Sequence, residues 1–317
     1  MSTTPEGPHG PESAHGTPPV CLRHPGRAAY VACPACGRPA CLECQRPAGG
    51  AMVCADCAAR AAAPGRGAAA TPSSAPARAS HGRGGVLGAL TAAPMTTGLI
   101  VLTALVYALQ WLYRDPVTGV TPSLWYAGLY TSPLAFEPWR LLTYALVHDV
   151  SGPTHLALNL LAMWVIGRVL EPVLGLWRFL ALYAISAVGG AVFALWTSDP
   201  LQPVVGASGA VYGLFAALFL LTRIGGGQVR SIAVLIGLNL AASFALPGIS
   251  WQVHVGGLLT GAAVALVLTR LGPLPGTPGR GRGGVGAQVA GLVVVLAALG
   301  GLTALGASRI GLDALVM

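Results

Sequence analysis

The chain has 317 residues, of which 54% are hydrophobic and only 9% charged. Soluble domains carry about 25% charged residues, so this composition excludes a water-soluble globular enzyme of this size. The net charge is +8 and all 18 basic residues are Arg. They flank apolar segments and form no patch, which points to membrane orientation; no nucleic acid partner is expected. The Lys-free, Ala/Gly/Pro/Arg-heavy composition fits a GC-rich bacterial genome.

Residues 1–20 are rich in Pro, Gly and His with no apolar run, so a disordered N-terminus without a cleavable signal peptide is expected. Residues 21–57 hold all seven cysteines, paired as Cys21/His24, Cys33/Cys36, Cys41/Cys44 and Cys54/Cys57. Eight ligands at this spacing suit two tetrahedral Zn2+ ions with none left over. Interleaved pairing puts Cys21, His24, Cys41 and Cys44 on one ion and Cys33, Cys36, Cys54 and Cys57 on the other. Sequential pairing is the open alternative. A disulfide cluster competes with both, but the arginine count below places the segment in the reducing cytosol. Neither shell has a free position, so the metals are expected to be structural, folding a domain too small for its own core. The segment resembles a B-box-like or other small treble-clef finger, and a cytosolic protein partner is its expected ligand. Residues 58–90 are low in large apolar side chains and read as a flexible linker.

From there the pattern is that of an all-α polytopic membrane protein. Seven spans are predicted, at 95–114, 154–171, 178–197, 206–223, 229–246, 251–270 and 285–307. Pro247-Gly248 splits an apolar stretch too long for one helix. The loop 115–153 carries Trp125, Tyr126, Tyr130 and Trp139, side chains suited to a membrane interface. Putting the N-terminus in the cytosol places Arg60, Arg66, Arg78, Arg83, Arg168, Arg178, Arg223, Arg230, Arg270, Arg280 and Arg282 inside. Only Arg114, Arg140 and Arg309 fall outside, so the C-terminus is expected to be extracytosolic.

Polar side chains within spans are functional candidates because hydrocarbon penalises them. Span two opens with His155 and Asn159, four apart and hence on one face. Span four opens with Gly206-Ala-Ser208-Gly209 and carries Tyr212; span six carries His254, Gly256, Gly257 and Gly261. At helical rise, Ser208 lies about 22 Å before Arg223, His254 about 24 Å before Arg270 and His155 about 20 Å before Arg168. All three therefore fall at a similar height in the outer half of the bilayer. Ser208 sits in a first helical turn, where free N–H groups favour a developing oxyanion. Gly209 and Gly213 on span four, with Gly257 and Gly261 on span six, allow the close approach that would join serine to imidazole.

In these motifs the chain resembles the rhomboid intramembrane serine proteases over residues 95–271. They are Trp139-Arg140, His155-x3-Asn159, Gly206-x-Ser208-Gly209-x2-Tyr212 and His254-x2-Gly257-x3-Gly261. The resemblance implies a six-helix protease core at 91–271, followed by a cytosolic loop and seventh helix at 272–317. It implies Ser208 as nucleophile and His254 as general base, with no cofactor for catalysis. The Ser208 N–H with the His155 and Asn159 side chains would form the oxyanion site, and Tyr212, Gly206, Gly209 and Gly257 would support the dyad. No Asp or Glu lies in spans four or six, so Tyr212 is the candidate to orient the imidazole. Arg140 with Trp139 would anchor the first loop, and His148 has no assigned role. The implied activity is cleavage of a transmembrane protein substrate near the extracytosolic face of a bacterial plasma membrane. The alternatives are a non-proteolytic relative that retains client membrane proteins, or a solute transporter. The transporter is disfavoured because neither an internal repeat nor an intramembrane carboxylate is evident.

Overall fold

The computed structural model describes residues 20–29, 31–48, 51–62, 93–246, 248–274 and 283–310. The expected disordered segment 1–20 (save Val20), most of the linker, Pro247, Arg66, Arg78, Arg83, Arg280 and Arg282 lie outside them. The chain divides into two compact units, Met1–Ala79 and Ser80–Met317.

The first unit is three antiparallel hairpins and a helix. β1 (Val20–Cys21) pairs with β2 (His24–Ala28), and β3 (Val31–Ala32) with β4 (Pro39–Ala40). β5 (Gln45–Ala48) pairs with β6 (Ala51–Cys54), which leads into α1 (Ala55–Ala62). Among the described residues its buried ones are mainly cysteines: Cys21, Cys33, Cys41, Cys44 and Cys54, with Ala29, Ala40 and Val53 beside them. So little apolar surface cannot offset the entropy of ordering the segment.

The second unit is helical. All seven predicted spans are helices: α2 (Pro94–Leu112), α5 (Thr154–Leu174), α6 (Leu176–Thr197), α7 (Ser208–Ile224), α8 (Arg230–Ala245), α9 (Trp251–Arg270) and α10 (Val285–Ala307). Five are long and apolar enough to cross a bilayer, while α7 and α8 are shorter apolar helices. The fourth starts at Ser208, two residues later than predicted, because Gly206 takes φ +115° and makes the preceding residues a tight turn.

α6 is the central helix, buried along most of its length, and α9 packs against both α6 and α7. α8 is held least. It touches α7 and α9, and Ser243 is its one fully buried residue. α10 is fastened at both ends. Buried Arg178 donates from Nε to Gln288 Oε1 (2.9 Å), Gln288 Nε2 donates to the Leu268 carbonyl (2.7 Å), and Trp196 Nε1 donates to the Leu302 carbonyl (3.1 Å).

The loop between α2 and α5 contains two short helices, α3 (Val120–Leu124) and α4 (Arg140–Thr143). Arg140 ties it together: Nε donates to Glu137 (2.6 Å), and Nη1 donates to the carbonyls of Pro122 (2.7 Å) and Trp125 (3.0 Å). Its guanidinium also lies 3.9 Å over the Tyr130 ring. Two expectations need correction. Tyr126 is not an interfacial side chain but a core one, 1% exposed beside Tyr144. A carboxylate does enter the helical bundle: Glu171, 2% exposed near the end of α5, accepts the N–H groups of Met95 (2.8 Å) and Thr96 (2.7 Å) and the Thr96 hydroxyl (2.7 Å). It caps α2, whose own N-terminal residue Ala93 has no side chain to do so.

Candidate active site and metal clusters

The segment before α7 is held by three bonds from upstream residues. The Val204 N–H donates to the Tyr126 carbonyl (2.7 Å) and the Gly206 N–H to the Tyr144 carbonyl (3.0 Å). The Ala207 N–H donates to His148 Nε2 (3.3 Å). Ser208 then opens α7, where the first-turn N–H groups have no intrahelical acceptor.

Ser208 meets His254, in the first turn of α9, with Oγ and Nε2 2.8 Å apart. The approach depends on glycine. A Cβ at Gly257 would fall on the Gly209 carbonyl, and one at Gly261 on Gly213. Gly256 is packed equally tightly against Phe193 and the backbone of Gly189. Tyr212, one turn after Ser208, stacks on the imidazole with centroids 4.3 Å apart and planes 15° apart.

His155 lies beside the turn: a Cβ on Gly206 would be 2.8 Å from His155 Nε2 and 3.8 Å from Ser208 Oγ. Its Nδ1 accepts the Asp149 N–H (3.3 Å), so in the neutral ring the proton is on Nε2, the nitrogen facing the serine turn. Asn159 Nδ2 donates one hydrogen to the His155 carbonyl (2.9 Å), leaving a second to offer. Ser208, His254, His155, Asn159, Tyr212, Gly206, Gly209 and Gly257 are thus brought to one locality.

Two residues in that locality were not anticipated from the sequence. His148, fully buried, holds the Ala207 N–H and packs 5.1 Å from the His155 ring. Its backbone is clamped by Gln110 of α2, which donates to its carbonyl (2.8 Å) and accepts its N–H (3.0 Å). Ser243 of α8 is 2.7 Å from His254 Nδ1. The signal for it was Asn239-x3-Ser243, a polar pair on one face of a span, the same kind of signal as His155 and Asn159.

In the first unit, all seven cysteines are free thiols. Cys21, His24, Cys41 and Cys44 bring their ligand atoms within 4.8 Å of one another, as do Cys33, Cys36, Cys54 and Cys57. This is the interleaved grouping, and each cluster can hold a metal ion. The Cys54 N–H donates to Cys33 Sγ (3.1 Å), and such backbone donors push the Cys33 thiol down to about 6. The Cys21 thiol is likewise pushed down to about 6, chiefly by the Cys41 backbone. The shifts oppose one another within each cluster: burial and neighbouring thiols push Cys44 up to about 11, and the Cys54 thiol and burial push Cys57 up to about 11.

Residues 135–271 match the family model described as the Rhomboid domain. No curated protein sequence matches the chain.

Proposed function

This chain carries a rhomboid domain, the mark of an intramembrane protease family, and we propose that it is an active serine endopeptidase cutting transmembrane segments near their extracytosolic end. The observation that carries the reading is the 2.8 Å contact between Ser208 Oγ and His254 Nε2, at a helix start lined by further donors. His254 Nε2 takes the Ser208 proton as Oγ attacks the scissile carbonyl carbon. The oxyanion is received by the Ser208 N–H, His155 Nε2–H and the second Asn159 N–H; losing one such donor typically costs about 2.7–4 kcal/mol. The imidazolium then protonates the leaving amine, and water, deprotonated by the same nitrogen, releases the acyl group. The substrate helix must unwind locally, so helix-destabilising residues favour cleavage.

The distribution of arginines supports an N-terminus in the cytosol of a bacterial plasma membrane and an extracytosolic C-terminus. Each four-ligand cluster suits one structural Zn2+, which would supply the folding energy the small unit lacks. A finger on the cytosolic side suits a cytosolic protein partner.

The test uses purified full-length protein with a single-span type I membrane protein. Wild type is expected to cleave it and to be labelled by a fluorophosphonate, while Ser208→Ala and His254→Ala do neither. Cleavage that survives Ser208→Ala would overturn the assignment. A wild-type protein that is never labelled, yet holds the substrate, would favour the client-retaining alternative.

A further inference from the structure

The dyad has no carboxylate: α7, α8 and α9 contain neither Asp nor Glu. Something must still decide which imidazole nitrogen of His254 carries the proton, because only a ring with Nε2 bare can accept the Ser208 proton. The Tyr212 ring stacks on the imidazole face and restrains its plane, but a stacked ring does not distinguish the two nitrogens.

Ser243 does. Its Oγ lies 2.7 Å from His254 Nδ1, 2.8 Å from the Asn239 carbonyl and 3.4 Å from the Tyr212 hydroxyl. A hydroxyl has one hydrogen to donate and two lone pairs to accept with. The Asn239 carbonyl can only accept, and at 2.8 Å it is placed to take the Ser243 hydrogen. The lone pairs of Ser243 then face Nδ1 and the Tyr212 hydroxyl, both of which must donate. In this arrangement the proton is on Nδ1, and Nε2 is left bare opposite Ser208. The opposite tautomer requires the Ser243 hydrogen to turn from the Asn239 carbonyl to Nδ1, giving up that bond.

We propose that Ser243 is a positioning residue for His254: backed by the Asn239 carbonyl, it fixes the imidazole in the tautomer able to act as base. The role rests on the protease reading above. When the ring becomes imidazolium, the Nδ1–H bond to Ser243 persists, so the support is kept through the proton transfer. Since Ser243 is the one fully buried residue of α8, it also makes the state of the dyad depend on that helix staying docked.

The experiment uses the full-length protein in detergent with 15N-labelled histidine, as wild type, Ser243→Ala and Ser243→Thr. In wild type the His254 ring nitrogens should report the Nδ1–H tautomer. In Ser243→Ala the Nε2–H form should gain population, and the rate of fluorophosphonate labelling at Ser208 should fall about three- to tenfold, the worth of one neutral hydrogen bond. Ser243→Thr, which keeps the hydroxyl, should restore both. A wild-type Nε2–H tautomer, or an unchanged tautomer in Ser243→Ala, would overturn the proposal; so would labelling equally slow in the Ala and Thr variants. If wild type is neither labelled nor active, it is the protease reading that fails, and the nitrogen shifts still decide the question of Ser243.

Discussion

Gly257 lies on the backbone of Gly209, so close that a β-carbon at 257 would overlap the Gly209 carbonyl oxygen. The contact sits one turn from His254 on one helix and next to Ser208 on the other, so it sets the separation of these two side chains. Gly257→Ala is expected to push α9 from α7, with an overpacking cost of about 1–3 kcal/mol. Fluorophosphonate labelling should fall by at least an order of magnitude at temperatures where the protein remains folded, because a shift well below an ångström already breaks a 2.8 Å bond. Gly300→Ala on α10 is the control. Nothing lies within 4 Å of its added carbon, and it should gain about 0.5–1 kcal/mol from helix propensity alone. Labelling rates and thermal midpoints of the two variants decide the matter, and equal behaviour would refute the packing account.

Glu171 offers a contrasting case, a charged group whose work is structural. Glu171→Ala removes the acceptor for three donors at the start of α2, at a cost on the order of 3 kcal/mol, and should lower the thermal midpoint by several degrees. Glu171→Gln, which keeps one carbonyl oxygen, should fall in between. Labelling per folded molecule should stay near wild type in both. A loss of labelling without loss of stability would mean that Glu171 reaches the dyad after all.

The seven apolar helices were legible because hydrocarbon demands long uncharged runs, a strong and local signal. His155, Asn159, Ser208 and His254 were legible because a polar group in a span is conspicuous. Contacts between elements distant in sequence were not. Ser243 reads as an ordinary serine bonding back to Asn239, which it also does, and nothing local reveals that its lone pair faces His254. His148 and Tyr126 sit in a loop whose aromatic content suggests the interface. They are buried because that loop folds back to hold the turn before Ser208, through pairings spanning 59 and 78 residues. Glu171 stands three residues after Arg168, at the last position of its predicted span, and passes for the cytosolic end of that span.

Burial, followed by the neighbouring His155, pushes His148 down to about 3 from the ordinary value near 6.5. This sign is opposite to that of a histidine paired with a carboxylate. Below 6.5 the unfolded chain binds a proton that the folded protein refuses, so stability is complete above pH 6.5 and declines as the pH falls. The limiting slope is about 1.4 kcal/mol per pH unit. The thermal midpoint should therefore drop between pH 6.5 and 5, and the drop should be shallower in His148→Gln, whatever that variant's stability at pH 7. Parallel profiles for the two proteins would show that His148 does not carry the acid sensitivity.

The two metal clusters make a prediction about stoichiometry that separates interleaved from sequential pairing. In the interleaved arrangement Cys21 and Cys41 belong to the same cluster, together with His24 and Cys44. Replacing both by serine leaves that cluster with two ligands, too few for tight binding, while Cys33, Cys36, Cys54 and Cys57 remain intact. In sequential pairing the same two cysteines serve different ions, and the double variant would damage both sites. Purified wild type, expressed with zinc available, is expected to carry two ions per chain by elemental analysis, and the double variant one. The matched control is Cys21→Ser with Cys33→Ser, which takes one ligand from each interleaved cluster and should weaken both. Stripping wild type with a strong chelator should also make the finger susceptible to protease, because a core built of cysteines has too little apolar contact to persist without its ions. One ion retained by the Cys21/Cys33 variant and none by the Cys21/Cys41 variant would reverse the pairing.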